Sequence, residues 1–245
     1  MKTKTLRFLL WTLLFLVIGW GSCLICSFFG ITLTNAPYLY PLYIFGGFSP
    51  TVAAIVLRCK EPGGFKGFLK ETFDFKHKLT AYLLVLALVA VFFLSLCLCC
   101  GYTPGSPIYM VPLMVPMMLF GGGLEEVGWR GILQPELEKK MPFPPATLIV
   151  AVIWWVWHLP LFYIPGVAQY GDNFFIFGLN VLGLTFVLAT IKKRTGSTWL
   201  CVLAHSLINA LHGVFIIHDS ILGSVITAAV LIALSLVLVY LPKKR

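Results

Sequence analysis

The chain has 245 residues, of which 59% are hydrophobic and only 11% are charged, and its mean hydropathy is +0.94. About a quarter of the residues in a soluble domain are charged, so the composition excludes an ordinary soluble domain, and its apolar content excludes a disordered chain. The formal net charge of +9 indicates either a nucleic-acid partner or a membrane topology signal, and the positions of the basic residues decide between them.

Eight apolar stretches predict membrane-spanning helices, because a helix needs roughly 20 apolar residues to cross a hydrocarbon core about 30 Å thick. In chain order they are 8–29, 38–57, 79–100, 108–123, 146–163, 173–191, 198–217 and 221–241. The fourth stretch differs from the others, since it ends in Gly121-Gly122-Gly123 and continues into an acidic, helix-like segment, 124–140. Glycines at this point fit a helix that bends or packs closely against a neighbour. We therefore predict an all-α polytopic membrane protein with about eight transmembrane helices, a single membrane domain over 1–245, and a polar site within the bundle.

The basic residues alternate with the predicted spans. All 18 Lys and Arg residues fall within the segments 2–7, 58–78, 130–140, 192–194 and 243–245. The opposite loops (30–37, 101–107, 164–172 and 218–220) contain only Asp172 and Asp219 as charged residues. The positive-inside rule then predicts that both termini are cytoplasmic. The positive charge is therefore a membrane topology signal; the lipid bilayer is the expected partner and no nucleic-acid partner is expected.

Polar side chains next to the glycine triplet are the first candidates for function, because charged groups are costly inside a membrane. Glu126 and Arg130 are four residues apart on a helix and can form an ion pair. Glu125 projects about 100° away from that pair and stays free. The alternative is that both acids lie on the surface of a cytoplasmic helix.

Two further polar groups interrupt later spans. His158 follows Trp154 by four residues, so an imidazole and an aromatic wall share one helix face. His205 and Asn209 have the same spacing within the seventh stretch. The alternatives are an aromatic membrane boundary around His158 and an interhelical hydrogen-bonding pair at His205, which contributes about 1 kcal/mol.

Together these residues fit the hydrolysis of a peptide bond. Glu125 and His158 can hold and deprotonate a water or a metal-bound water, which supplies the nucleophile. His205 and Asn209 can donate hydrogen bonds to the oxyanion of the tetrahedral intermediate.

The three motifs resemble those of the CAAX protease and bacteriocin-processing (CPBP, or Abi) family of intramembrane proteases, which includes the eukaryotic Ras-converting CAAX endopeptidase. The family's motifs are E-E-x-x-x-R, an aromatic-x-x-x-His with Phe as the usual aromatic residue, and H-x-x-x-N. The matching residues are Glu125, Glu126, Arg130, Trp154, His158, His205 and Asn209. The resemblance predicts a catalytic core over residues 107–212.

The resemblance implies roles for the matching residues. Glu125 would be the general base and His158 would help to orient the attacking water. His205 and Asn209 would form the oxyanion site. Glu126 and Arg130 would be a structural ion pair that fixes the helix carrying Glu125. The substrate would be a small peptide or the tail of a membrane-associated protein, and it would be cut within the plasma membrane. The first motif has a bacterial form, so a bacterial source is expected.

The sequence leaves the metal requirement and the oligomeric state open. Glu125, His158 and His205 could supply three ligands to a divalent metal, with zinc as the first candidate, although a metal-free glutamate-activated water uses the same residues. Two other classes compete with a protease: a non-enzymatic immunity or scaffold protein of the membrane, and a proton-coupled transporter that uses Glu125 and the histidines as a relay.

Overall fold

A computed structural model describes residues 2–242 of the chain, and helices dominate this part. The α-helices are α1 (Lys2–Leu16), α2 (Ser22–Phe28), α3 (Tyr40–Gly47), α4 (Ser49–Arg58), α5 (Gly64–Thr72), α6 (Leu79–Cys100), α7 (Val111–Phe120), α8 (Glu126–Gly128), α9 (Gln134–Glu138), α10 (Phe143–Trp157), α11 (Phe174–Thr195), α12 (Thr198–His212) and α13 (Ile221–Tyr240). Short 3₁₀ or π segments connect or extend them at Val17–Gly21, Pro37–Leu39, Ile108–Met110, Gly123–Glu125, Trp129–Leu133 and Leu159–Tyr163. The two strands are β1 (Tyr102–Pro104) and β2 (Phe215–Ile217).

Five continuous helical segments are long and apolar enough to cross a membrane. They are Lys4–Phe28, Leu79–Cys100, Phe143–Tyr163, Phe174–Thr195 and Ile221–Tyr240. Two further pairs meet the same test together but are bent, Pro37–Gly47 with Ser49–Arg58 by 53° and Ile108–Phe120 with Gly123–Glu138 by 43°. The prediction of a polytopic all-α membrane protein is confirmed, with five to seven candidate spans among the described residues.

The remaining predicted stretch, 198–217, differs from the expectation of a continuous span. Helix α12 occupies only Thr198–His212, which is shorter than the roughly 20 residues of a lipid-exposed crossing, and most of its side chains are buried. After Gly213 the chain leaves the helix, and β2 pairs antiparallel with β1. The strand pairing satisfies backbone groups that a helix would otherwise bond internally. The prediction of helix after His212 was therefore wrong.

Ion pairs join the predicted basic segments to one another at one end of the bundle. Lys4 lies 2.7 Å from Glu61 and 3.8 Å from Glu136. Lys193, in the last turn of the long helix α11, lies 2.5 Å from Glu138. Four segments that are far apart in the chain thus meet in one place. We call this the basic end, formed by residues 58–78, 136–142 and 192–197 with the start of α1.

The loops predicted to be opposite also meet one another. β1 and β2 form a two-stranded sheet in which Tyr102 faces Ile217. Thr103 Oγ1 is 2.7 Å from His218 Nε2 across the same pair of loops. Asp172 and Asp219 line one cavity, and a Cβ added at Gly166 would lie 3.1 Å from Thr34, so the other two loops lie at the same end. We call this the hairpin end, formed by residues 30–37, 101–107, 164–173 and 213–220. The alternation that the sequence predicted therefore corresponds to two ends of one bundle.

Candidate active site

The break between α7 and α8 positions the first polar group. The backbone at Gly122 has φ +139°, and a Cβ added there would lie 2.4 Å from Asn209 Nδ2 and 3.1 Å from His205 Nε2. Only glycine allows both this conformation and this approach. The 3₁₀ segment Gly123–Glu125 then turns the chain, so that Glu125 follows directly after the bend. The bend and close packing expected from the glycine triplet are both present.

The Glu125 carboxylate lies at the wall of a cavity and is held by a tryptophan. The indole Nε1 of Trp154 donates a 2.8 Å hydrogen bond to Glu125 Oε2. That bond fixes the carboxylate and leaves Oε1 to accept a second bond. A hydrogen bond to a charged group is stronger than one between neutral groups, so Trp154 stabilises the ionised carboxylate.

Glu126 points away from the cavity into a fully buried cluster. Its carboxylate is 3.0 Å from Arg130 Nη1, and both side chains have no exposed surface. The Arg130 guanidinium also lies over the Trp154 ring, with Cζ 4.8 Å from the ring centroid. The ion pair predicted from the spacing is therefore formed. Glu126 also has a second partner, because its Oε1 lies 3.0 Å from His205 Nδ1.

The two histidines are both held through Nδ1. His158 Nδ1 lies 2.7 Å from the carbonyl oxygen of Trp154, and a carbonyl can only accept, so Nδ1 carries a proton. His205 Nδ1 faces the Glu126 carboxylate, which is paired with Arg130 and accepts in the same way. In the neutral ring the lone pair of each histidine is therefore on Nε2. For His205 this nitrogen lies beside Gly122.

The carboxamide of Asn209 is oriented by the break itself. Its Nδ2 donates a 2.9 Å hydrogen bond to the carbonyl oxygen of Gly121. An amide NH₂ has two hydrogens, so the second one remains for another acceptor. Asn209 thus presents a donor beside Gly122 and His205.

One cavity of about 860 Å³ contains these groups. The four residues predicted to be catalytic, Glu125, His158, His205 and Asn209, all contribute to its lining. Glu126 and Arg130 do not line it and lie behind His205 and Trp154. The 3₁₀ segment before α8, the end of α10 and helix α12 are thereby brought together at one cavity, as a shared site requires.

Aromatic rings enclose the two imidazoles. Trp154 has its ring centroid 5.3 Å from that of His205 and 5.6 Å from that of His158. Trp157 and Phe177 contact His158 edge-on at 4.7 and 4.9 Å. This wall excludes lipid and water from one side of the rings, which strengthens the hydrogen bonds within the site.

Two contacts in the site were absent from the sequence-based prediction. The first is the Trp154 bond to Glu125, and the second is the Glu126 contact with His205. The sequence did place Trp154 as an aromatic wall and Glu126 as an ion-pair partner of Arg130. Both contacts join different motifs, and no spacing within a single motif could indicate them.

The predicted metal ligands do not form a ligand cluster. Within residues 2–242, no group of three or more His, Cys, Asp or Glu side chains is placed to hold a metal ion. Glu125, His158 and His205 line the same cavity, and their protein partners occupy Glu125 Oε2 and Nδ1 of each histidine, which leaves Glu125 Oε1 and the two Nε2 atoms as donors. The chemistry of these donors suits zinc, but among residues 2–242 the three side chains are not placed around one point.

Comparison with known proteins finds similarity in the part of the chain that contains the site. A family model described as type II CAAX prenyl endopeptidase Rce1-like matches residues 104–211. A curated relative, CAAX prenyl protease 2 from Methanococcus maripaludis, is 29% identical over 93 residues, which are 38% of this chain and 32% of the relative. The chain therefore matches about a third of the length of that relative, and the predicted core boundaries, 107–212, stay a prediction. All three motifs lie within residues 104–211, so the segment that contains the candidate site is similar to the CAAX prenyl endopeptidases that this family model describes.

Proposed function

We propose that this protein is an intramembrane endopeptidase that hydrolyses a peptide bond in a small peptide or in the tail of a membrane-associated substrate. The observation that carries the proposal is the shared cavity lined by Glu125, His158, His205 and Asn209. These side chains come from three separate spans and supply the two functions that amide hydrolysis needs. The family match supports the same activity.

Glu125 is the general base in this mechanism. Its Oε1 accepts one proton of a water molecule, while Oε2 stays bonded to Trp154. His158 Nε2 accepts the other hydrogen of that water and so directs an oxygen lone pair toward the carbonyl carbon. When the C–N bond of the tetrahedral intermediate breaks, Glu125 returns its proton to the leaving amine.

His205 and Asn209 stabilise the negative charge on the intermediate. The free amide hydrogen of Asn209 donates to the oxyanion. His205 Nε2 can donate only when the ring is doubly protonated, and the Glu126 carboxylate 3.0 Å from Nδ1 balances the charge of that form. Removal of one such donor typically lowers kcat by about 10²- to 10³-fold.

The mechanism proposed here uses protein side chains and water alone, and the absence of a three-ligand cluster among the described residues supports this form. Ligation of a divalent metal by Glu125, His158 and His205 is the alternative proposed from the sequence, in which the metal would lower the pKa of its bound water. A chelator separates the two alternatives in the experiment below.

The test is cleavage by the purified protein and by its Glu125→Gln variant in detergent, with prenylated and unprenylated peptides as substrates. The amide cannot accept the water's proton, so we expect cleavage to fall at least about 10³-fold. Glu138→Gln is the matched control, because Glu138 pairs with Lys193 at the basic end and should retain activity. Activity should also survive incubation with a chelator.

Three results would contradict the proposal or part of it. Cleavage that Glu125→Gln leaves unchanged removes Glu125 as the base. Loss of cleavage on chelation that zinc restores favours the metal alternative. No cleavage by well-folded protein favours the immunity or scaffold class.

The positions of the bent spans bear on the alternative of a proton-coupled transporter. A transporter predicts interrupted spans in corresponding positions of the two halves of the chain, and the sequence indicated only one interruption. The structure contains two bent pairs, but both lie within residues 37–138. A transporter predicts Glu125-dependent proton uptake without peptide cleavage, so the same variant separates the two classes.

A further inference from the structure

The position of the cavity along the bundle carries information about where the substrate comes from. Besides the catalytic side chains, the cavity is lined by residues of two hairpin-end loops, among them Gln169, Asp172, His218 and Asp219. None of the described residues of the basic end contributes to its lining. The cavity therefore extends from the catalytic groups to the hairpin end.

Packed side chains close the path from the catalytic groups to the basic end. Trp129, Arg130, Leu133 and Gln134 follow Glu125 toward that end, and all four have no exposed surface. Helices α8 and α4 are in direct contact here, since a Cβ added at Gly128 would lie 2.6 Å from Pro50. Interiors packed in this way contain few voids larger than a water molecule.

Polar residues line the way to the hairpin end. Asn180 of α11 and three residues of the loop before it, Gln169, Asp172 and Asn173, contribute to the cavity wall. A hydrolytic site at membrane depth needs water, and non-helical or polar surface at that depth is tolerated where it lines a water-filled space. The water that Glu125 activates can reach it from this end.

Resting on the proposed function, we propose that the catalytic cavity opens on the extracytoplasmic face and that its substrate is a peptide segment that has already crossed the membrane. Seventeen of the 18 basic residues lie in the segments of the opposite end or in the termini, whereas Arg130 is buried beside Glu126, and the positive-inside rule assigns the basic end to the cytoplasm. The reaction that supplies the substrate is therefore an export step. Proteolysis then acts on the exported segment at the outer side of the bilayer.

Thiol accessibility tests the orientation without any need for activity. Native Cys59 is exposed at the basic end, and Asp219 is an exposed residue at the cavity mouth. Two reporters are made, one keeping only Cys59 and one carrying Asp219→Cys with Cys59→Ser. In both, the other cysteines are replaced, except that the buried Cys23 and Cys201 are retained if their replacement prevents folding.

A membrane-impermeant maleimide is added to intact cells and to permeabilised cells. We expect the Asp219→Cys reporter to be labelled in intact cells, at least about tenfold more than the Cys59 reporter. Cys59 should be labelled only after permeabilisation. Labelling of Cys59 in intact cells, with protection of Asp219→Cys, would overturn the proposed orientation.

The sidedness of cleavage tests the substrate's origin. A membrane-impermeant peptide that the purified protein cleaves is added to spheroplasts and to sealed inverted vesicles, each with wild-type or Glu125→Gln protein. We expect Glu125-dependent cleavage by spheroplasts to exceed that by inverted vesicles at least about tenfold. The reverse ratio would overturn this inference while the protease assignment stands. Absence of cleavage in detergent would contradict the proposed function instead, and the thiol labelling would still decide the orientation.

Discussion

Glu125 and Glu126 are chain neighbours with different surroundings, and this difference is the main result at the scale of single residues. Glu125 lines the cavity and accepts a bond from Trp154, whereas Glu126 has no exposed surface and lies between Arg130 and His205. The helical spacing in the sequence predicted that Glu126 pairs with Arg130 and that Glu125 is free. It could not predict the Trp154 and His205 contacts, because these depend on how α10 and α12 pack against α8.

Loss of the Trp154 indole N–H should impair catalysis. We expect Trp154→Phe to lower kcat by about tenfold, because a hydrogen bond to a charged group contributes about 1.5 kcal/mol or more. The measurement is steady-state cleavage by purified protein. Trp155→Phe is the matched control, since the Trp155 indole donates to the carbonyl of Phe174, and an equal loss in both variants would contradict a specific role for Trp154.

The buried ion pair predicts a difference between stability and activity. Arg130→Met leaves Glu126 buried without its cation and should destabilise the protein by about 3–5 kcal/mol. The double variant Glu126→Gln/Arg130→Met removes both charges and should recover much of that loss. It should stay inactive, because His205 then lacks the carboxylate that faces Nδ1. Thermal unfolding in detergent and cleavage are measured on the same samples, and an active double variant would show that Glu126 is only structural.

At the scale of elements, two broken spans meet beside the cavity. Between α3 and α4 the chain bends by 53°, and Thr51 of α4 donates a 2.6 Å hydrogen bond to the carbonyl of Leu124 in the other break. Ser49 Oγ accepts a 2.9 Å bond from Trp157. The glycine triplet indicated the break after α7, but the apolar pattern of 38–57 predicted a continuous span. Hydropathy is the same for a straight and a bent helix, so the second break was not predictable from composition.

The break after α7 predicts a strong effect of a single methyl group. Gly122→Ala should abolish most activity, because its Cβ would overlap Asn209 Nδ2 at 2.4 Å and displace the oxyanion donor. Gly171→Ala is the control for backbone strain alone. That glycine also has positive φ, at +82°, but a Cβ there would meet nothing within 4 Å.

Cleavage and thermal unfolding distinguish the two glycine variants. Both should lose roughly 1–3 kcal/mol through strained backbone, and only Gly122→Ala should lose activity in the folded protein. Retention of full activity by Gly122→Ala would contradict the close approach of the break to Asn209.

At the scale of the whole molecule, ion pairs at the basic end connect segments that the sequence assigned to one side of the membrane. The hydrogen bond from Lys4 lowers the pKa of the Glu61 carboxyl, and nearby Arg58 and Lys139 act in the same direction. Because the pKa of Glu61 is lower in the folded chain, its contribution to stability is present above the unfolded pKa of about 4.3 and is lost as pH falls through the folded value.

This pair predicts a small effect that depends on pH. Lys4→Met should lower stability by less than about 1 kcal/mol at pH 7, since a third of the Glu61 side chain is exposed to solvent. The difference from wild type should shrink as pH falls below the unfolded pKa of about 4.3 and disappear below the lowered folded pKa, where Glu61 is protonated in both states. Thermal unfolding at the two pH values is the measurement. A difference that grows toward low pH would contradict the assigned pair.

The sequence by itself determined that this chain is a membrane protein and that its basic residues fall on one side of the predicted spans. It also identified the few polar residues that are candidates for catalysis. Hydropathy and charge act locally and sum along the chain, so a linear pattern is enough to show them. Only the tertiary structure decided that Glu125, His158, His205 and Asn209 line one cavity, that Glu126 faces His205, and that the cavity extends to the hairpin end. These features depend on how separate spans pack and where they break, and residues distant in the chain acquire such relations only in the folded bundle.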